Sequence, residues 1–86
     1  MEGDDAFRNG DLASARLLYR RVYDANDGRG ALGIGASYDP VFLRRYHLWT
    51  RYANPEEARI WYLRAHDLGA QDAQNRLKRL NVKSAR

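Results

Sequence analysis

Residues 28–33 read GRGALG, so Gly28, Gly30 and Gly33 spell out G-x-G-x-x-G. That spacing is the dinucleotide-binding fingerprint, in which the backbone closes on a pyrophosphate at a helix N-terminus. The chemistry also requires a strand before the glycines, a helix after them and an acidic residue about twenty positions further on. The preceding segment LLYRRVYDAND is amphipathic helix by its spacing, and Glu56 and Glu57 come too late and open a helix of their own. A nucleotide site is therefore not expected, and the glycines need another role.

Other residues with chemical potential are isolated. The chain has no cysteine, which excludes disulfides, thiolate zinc sites and a cysteine nucleophile. His47 and His66 do not have metal-site spacing, and His66 fits a helix C-terminus as a dipole partner. Asp4/Asp5 and Glu56/Glu57 are adjacent in sequence, and neighbours on a helix do not face each other as an acid/base pair. Ser14, Ser37 and Ser84 lack a nucleophile context. We expect no catalytic residue, no metal ligand and no cofactor, hence a binding protein and not an enzyme.

One segment does suggest contact chemistry. Trp49 and Tyr52 stand among Arg44, Arg45, His47 and Arg51, and interleaved aromatic and basic residues suit nucleic acid or an acidic peptide. The competing reading, which we favour, has Tyr46, Leu48, Trp49 and Tyr52 folding back over an open apolar edge. The net charge of +4 is uneven: residues 1–43 carry −2 and residues 44–86 carry +6. A basic half can attract acidic partners or nucleic acid, or simply be solvated surface.

The elements that must position these residues are helices. From Asp11 to Ala25, Leu12, Ala15, Leu18, Tyr19 and Val22 recur at offsets of three and four. Asp11 fits an N-cap, and residues 2–9 fit the end of an earlier helix. Asn54-Pro55-Glu56-Glu57 places an N-cap, a proline at N1 and a capping-box glutamate ahead of Ala58, Trp61, Tyr62, Ala65 and Leu68, with Gly69 at C′. Arg29–Tyr38 has a helical face of Gly30, Ile34, Gly35 and Tyr38, and a last helix carries Ala73, Leu77 and Leu80. Asp39-Pro40 restarts the chain into a short helix, and the tail VKSAR is expected to fray. No run reaches the ~20 apolar residues of a membrane span, and the acidic start MEGDDAF resembles neither a signal nor a transit peptide. With 86 residues and 44% hydrophobic composition, one domain is expected.

Residues 11–35 overlie 54–78 at an offset of 43: Ala15 meets Ala58, Arg16 meets Arg59, Tyr19 meets Tyr62, Arg21 meets Arg64, Asp24 meets Asp67, Gly30 meets Ala73 and Ile34 meets Leu77. A period of this length with two helices per unit is a solenoid signature. The stretch EEARIWYLRAHDLGAQDAQNRL resembles the Sel1-like repeat, a relative of the tetratricopeptide repeat, through Ala58, Trp61, Tyr62, Ala65, Gly69, Ala73, Gln74 and Leu77. The first copy matches it at Ala15, Tyr19, Gly30, Ile34, Gly35 and Tyr38, with Val22 and Asn26 where alanine and glycine are usual. DPVFLRRYHLWTRYANP replaces the family's short Gly-x-Gly-Val loop.

The resemblance implies an all-α fold of two stacked antiparallel helix pairs in a right-handed solenoid, with a weak repeat at about 10–38, a linker at 39–53, a strong repeat at about 54–80 and a tail at 81–86. It makes Gly30 and Gly35 packing glycines, with Gly28 in the turn. It implies an adaptor module of a larger bacterial protein, in the cytoplasm or associated with the envelope, binding a protein or peptide. Nucleic acid is the alternative partner, with the linker contact at Arg44, Arg45, Trp49 and Arg51. Self-association is the third reading, a homodimer through the open solenoid end at residues 70–86. The repeat register points Arg29, Leu32, Asp72, Asn75 and Arg79 toward a groove.

Overall fold

Helix starts and stops in this chain are written in short polar side chains, and the computed structural model forms them where the sequence places them. It describes residues 2–51 and 53–80 in full and the backbone of 81–84. The described residues form helices α1 (Glu2–Arg8), α2 (Leu12–Asp24), α3 (Gly28–Tyr38), α4 (Pro40–Arg45), α5 (Pro55–Asp67) and α6 (Asp72–Ser84), with no strand among them. Asp11 accepts from the Ser14 N–H at 3.1 Å, and Asn54 accepts from the Glu57 N–H at 3.2 Å. Each cap satisfies one donor that a helix start leaves open. The second half of the expected capping box does not form, because the Asn54 N–H donates to the Tyr38 carbonyl across the fold at 2.8 Å. The frayed tail is a correction: the backbone is helical through Ser84, while Ala85 and Arg86 lie outside the described residues.

The offset of 43 recurs in backbone geometry. Helices α2 and α5 have 13 residues each. Asn26 donates to the Tyr23 carbonyl as Gly69 does to that of His66, and Asp27 donates to Val22 as Ala70 does to Ala65. Asn26 and Gly69 both take the left-handed conformation, with φ of 63° and 84°. Asparagine tolerates that conformation better than most side chains, so the first copy closes its helix without glycine.

Packing follows from which faces are apolar. Ala15, Ala58, Ala65 and Ala73 are fully buried, and so are Leu43, Tyr62 and Leu80. Helix α3 lies against both α2 and α5, α1 lies against α2, and α6 lies against α5. A Cβ on Gly30 would strike the backbone of Tyr19 and Tyr23 in α2, and one on Gly35 would sit 2.6 Å from the Tyr62 ring of α5. Both glycines thus serve close helix contact, as expected. Gly28 corrects the sequence reading. It is the first residue of α3 and is packed on Ala65 and Ala70, not free in a turn. Gly33, for which the sequence suggested no role, lies on the Tyr19 ring.

The two repeat tyrosines are tied down alike. The Tyr19 hydroxyl donates to Asp4 of α1 at 2.5 Å, and the Tyr62 hydroxyl donates to Asp39, the N-cap of α4, at 2.6 Å. Burial is the main cause that pushes both phenols above their usual pKa, and the adjacent carboxylates add to it. Each therefore stays a neutral hydrogen-bond donor. A third tie is Arg16, which donates to the Ser37 hydroxyl and carbonyl, both at 2.8 Å, and stacks 3.8 Å from the Tyr38 ring. It anchors α2 to the last turn of α3.

Candidate functional site

A cleft of about 300 Å³ opens between α1, α3, α4 and α6. Phe7 and Arg8 reach it from α1, Arg29 and Leu32 from α3, Phe42 from α4, and Arg76 from α6. Gly33 and Ala36 of α3 and Tyr19 of α2 line it as well.

Aromatic rings make one wall. Tyr46 stacks on Phe42 with centroids 5.5 Å apart, and Phe7 meets both rings edge-on, at 5.6 Å from Tyr46 and 6.2 Å from Phe42. Edge-to-face and offset-stacked pairs are the favoured aromatic geometries. The wall is consequently fixed, yet Tyr46 keeps 45% of its surface open.

Arginines make the other wall. Arg76 is half-buried, donates to the Leu32 carbonyl at 3.2 Å and lays its guanidinium 4.4 Å from the Phe42 centroid. Among the described residues no carboxylate pairs with it. Arg8 stands 3.9 Å from Asp5 in an exposed pair. Arg29 holds Asp27 through several hydrogen bonds, the shortest 2.6 Å, and these keep the Asp27 carboxyl at a pKa of about 2. Asp4 also lines the cleft, with one oxygen accepting from Tyr19. Asp5 and Asp27 offset Arg8 and Arg29, so Arg76 is the cation of this wall with no ion pair among the described residues. Arginine side chains held over rings and aimed at open space can receive carboxylate or phosphate oxygens through paired N–H donors.

The expected groove residues separate. Arg29 and Leu32 line the cleft, whereas Asp72, Asn75 and Arg79 are exposed on α6 and outside its lining. The α6 side chain that lines the cleft is Arg76, one residue beyond Asn75. Phe7, Arg8 and Phe42 were also missed. Their helices lie outside the two aligned repeats, so the offset gave them no place.

The expected linker residues are all at the surface: Arg44 and Arg45 are exposed at the end of α4, Trp49 is 74% exposed, and Arg51 lies 5.8 Å from the Trp49 ring. Tyr46 and Leu48 fold back onto the body, but Trp49 does not, which corrects the reading that the whole segment covers an apolar edge. Tyr52 lies outside the described residues. On the last helix Ala73 and Leu80 are fully buried and Leu77 half-buried, while Leu17, Ile60 and Leu63 are exposed on α2 and α5.

A second hollow, lined by Tyr23, Asp24, Asn26, Arg64, Asp67 and Leu68, lies at the C-terminal ends of α2 and α5 and carries both signs of charge. Among the described residues no group of His, Asp or Glu could hold a metal ion, and no helix is long and apolar enough to cross a membrane. No family model, curated protein or solved structure matches the chain, so the cleft is judged on its own geometry.

Proposed function

We propose that this chain is a helical-repeat binding module of the Sel1-like kind, two stacked helix pairs of a right-handed solenoid, that takes a peptide segment of a partner protein in the cleft between α1, α3, α4 and α6. The observation that carries the reading is the cleft itself, with a stacked aromatic wall beside arginines of α1, α3 and α6. The backbone repeat at 43 residues supports the solenoid arrangement. A stack of this kind presents a concave surface suited to an extended chain or a helix. No catalysis is assigned to it.

Selection from a phage library of random dodecapeptides tests the reading. Enriched peptides should converge, and on titration into labelled protein they should shift the amide signals of Phe7, Leu32, Phe42, Tyr46 and Arg76. A library that yields nothing convergent, or shifts that map elsewhere, removes the cleft from consideration.

A second reading has one observation behind it. Trp49 is exposed with Arg51 5.8 Å from its ring and Arg44, Arg45 and His47 close by in sequence, as a stacking platform for single-stranded nucleic acid would be. Binding of that kind should weaken steeply with salt and depend on Trp49.

A further inference from the structure

The cleft also carries information about which peptides it takes. Arg76 is the one cation in its wall that is both half-buried and without a carboxylate among the described residues. A guanidinium has five N–H donors in a planar fork. One Arg76 nitrogen serves the Leu32 carbonyl, and the Phe42 ring lies 4.4 Å from the guanidinium carbon. Those two contacts hold the fork in place before any guest arrives. An ordered arginine loses less entropy on binding than a free one, so this charge is prepared for an acceptor.

The surroundings leave that preference to Arg76. Arg8 and Arg29 also line the cleft, but each has an exposed carboxylate beside it, Asp5 and Asp27, that offsets its charge. Asp4 is the one carboxylate in the lining, and the Tyr19 hydroxyl already donates to it. Next to the cationic wall stands the stacked Phe42–Tyr46 pair, which offers apolar surface but few hydrogen bonds. A guest that satisfies both walls carries an acidic side chain beside an aromatic or aliphatic one. Trp49, the stacking residue a nucleic acid would use, is not among the lining residues.

Resting on the peptide-binding reading above, we infer that the cleft selects acidic peptide segments, receiving an Asp or Glu carboxylate on Arg76 and its apolar neighbour on Phe42 and Tyr46. The Arg76 fork fixes register and disfavours a basic side chain at that point.

Fluorescence anisotropy with labelled dodecapeptides tests this. One peptide interleaves Asp and Glu with Phe and Leu, and its twin carries Asn and Gln instead; oligo(dT) is the third probe. The acidic peptide should bind about tenfold or more tighter than its twin, the size of effect that one well-placed charged pair gives. Arg76→Gln should remove most of that advantage at unchanged helix content, and Arg76→Lys should restore part of it. Should Arg76→Gln fail to fold, charge reversal at exposed Arg8 (R8E) must still weaken the acidic peptide more than its twin. Arg59→Gln, on the far helix α5, should change neither. Equal binding of the two peptides with shifts in the cleft overturns the selectivity and leaves the peptide reading standing. Binding of neither peptide, with no convergent phage selection, removes both. Loss on Arg59→Gln equal to that on Arg76→Gln makes the effect one of net charge and overturns the site. Oligo(dT) bound in an Arg76-dependent way gives the cleft to nucleic acid.

Discussion

Gly30→Ala sets two effects of opposite sign against each other. Alanine is about 1 kcal/mol better than glycine in a helix interior, so in open space the substitution would stabilise α3. Here the new Cβ would fall against the Tyr23 amide nitrogen and the Tyr19 carbonyl oxygen of α2, with the Tyr23 Cα at 2.9 Å. These are backbone atoms, and no change of rotamer moves them. Helices α2 and α3 would have to part by about 1 Å to restore ordinary contact, in an interior packed as densely as an organic crystal. Overpacking costs about 1–3 kcal/mol, and a clash between two backbones belongs at or above the top of that range. After the propensity gain, a net loss of about 2 kcal/mol or more is expected. For a chain of 86 residues that is a substantial share of a total of about 4–13 kcal/mol. Urea melts followed by far-ultraviolet circular dichroism read it directly, as a lower midpoint at unchanged slope. Gly69→Ala serves as the contrast: its φ is +84° with nothing within 4 Å, so backbone strain of about 1–2 kcal/mol is the whole effect. If Gly30→Ala melts at or above the wild-type midpoint, the close contact of α2 and α3 is refuted.

The remaining predictions concern other ties. Trp61 is 8% exposed and Trp49 74% exposed, so Trp61→Ala should cost about 3–5 kcal/mol and Trp49→Ala less than about 0.5 in the same melts. Tyr62→Phe removes the donor at 2.6 Å from buried Asp39 and should cost about 1.5–3 kcal/mol, a loss that calorimetry at neutral pH would register and that stability equal to wild type would refute. Hydrogen bonds from Ser14 hold the Asp11 carboxyl low, and those from Arg29 hold Asp27 at about 2. Folded-state values below the unfolded ones mean that both contributions are present above about pH 4 and fade as pH falls toward 2. Asp27→Asn should flatten that acid limb of the melting-temperature curve, and an unchanged curve would remove Asp27 from the account.

How much of this was legible depends on where the information lies. The ends of α2 and α5 are local: Asp11 and Asn54 cap whatever helix follows them, and Pro55 fits only a first turn. The burial of Ala58, Trp61, Tyr62 and Ala65 follows from period alone. The second half of the capping box was not legible, because its donor is claimed by Tyr38, sixteen positions upstream and adjacent only after folding. Gly28 was misread for the same reason. Its neighbours Ala65 and Ala70 belong to the later repeat, and nothing near Gly28 in sequence reveals them.

The cleft shows where the repeat arithmetic still held information. Gly33 and Arg76 are related by the offset of 43, and both positions face the tyrosine of their own copy: Gly33 lies on the Tyr19 ring, and the Arg76 guanidinium lies 5.7 Å from the Tyr62 ring. The position is thus an inward one on the second helix of each pair. Glycine there in the first copy admits the Tyr19 ring against α3, and arginine in the second copy lines the cleft from α6. The alignment already contains this pair, one position before Ile34 and Leu77, but a glycine matched with an arginine looks like a mismatch. Read as volume and charge, the mismatch separates two roles: the first copy needs no side chain where its tyrosine ring lies, and the second places a cation at the cleft. The aromatic wall had no such signal. Phe7 and Phe42 come from short helices with no counterpart in the repeat, and only the packing of α1 and α4 beside α3 brings their rings to the arginine.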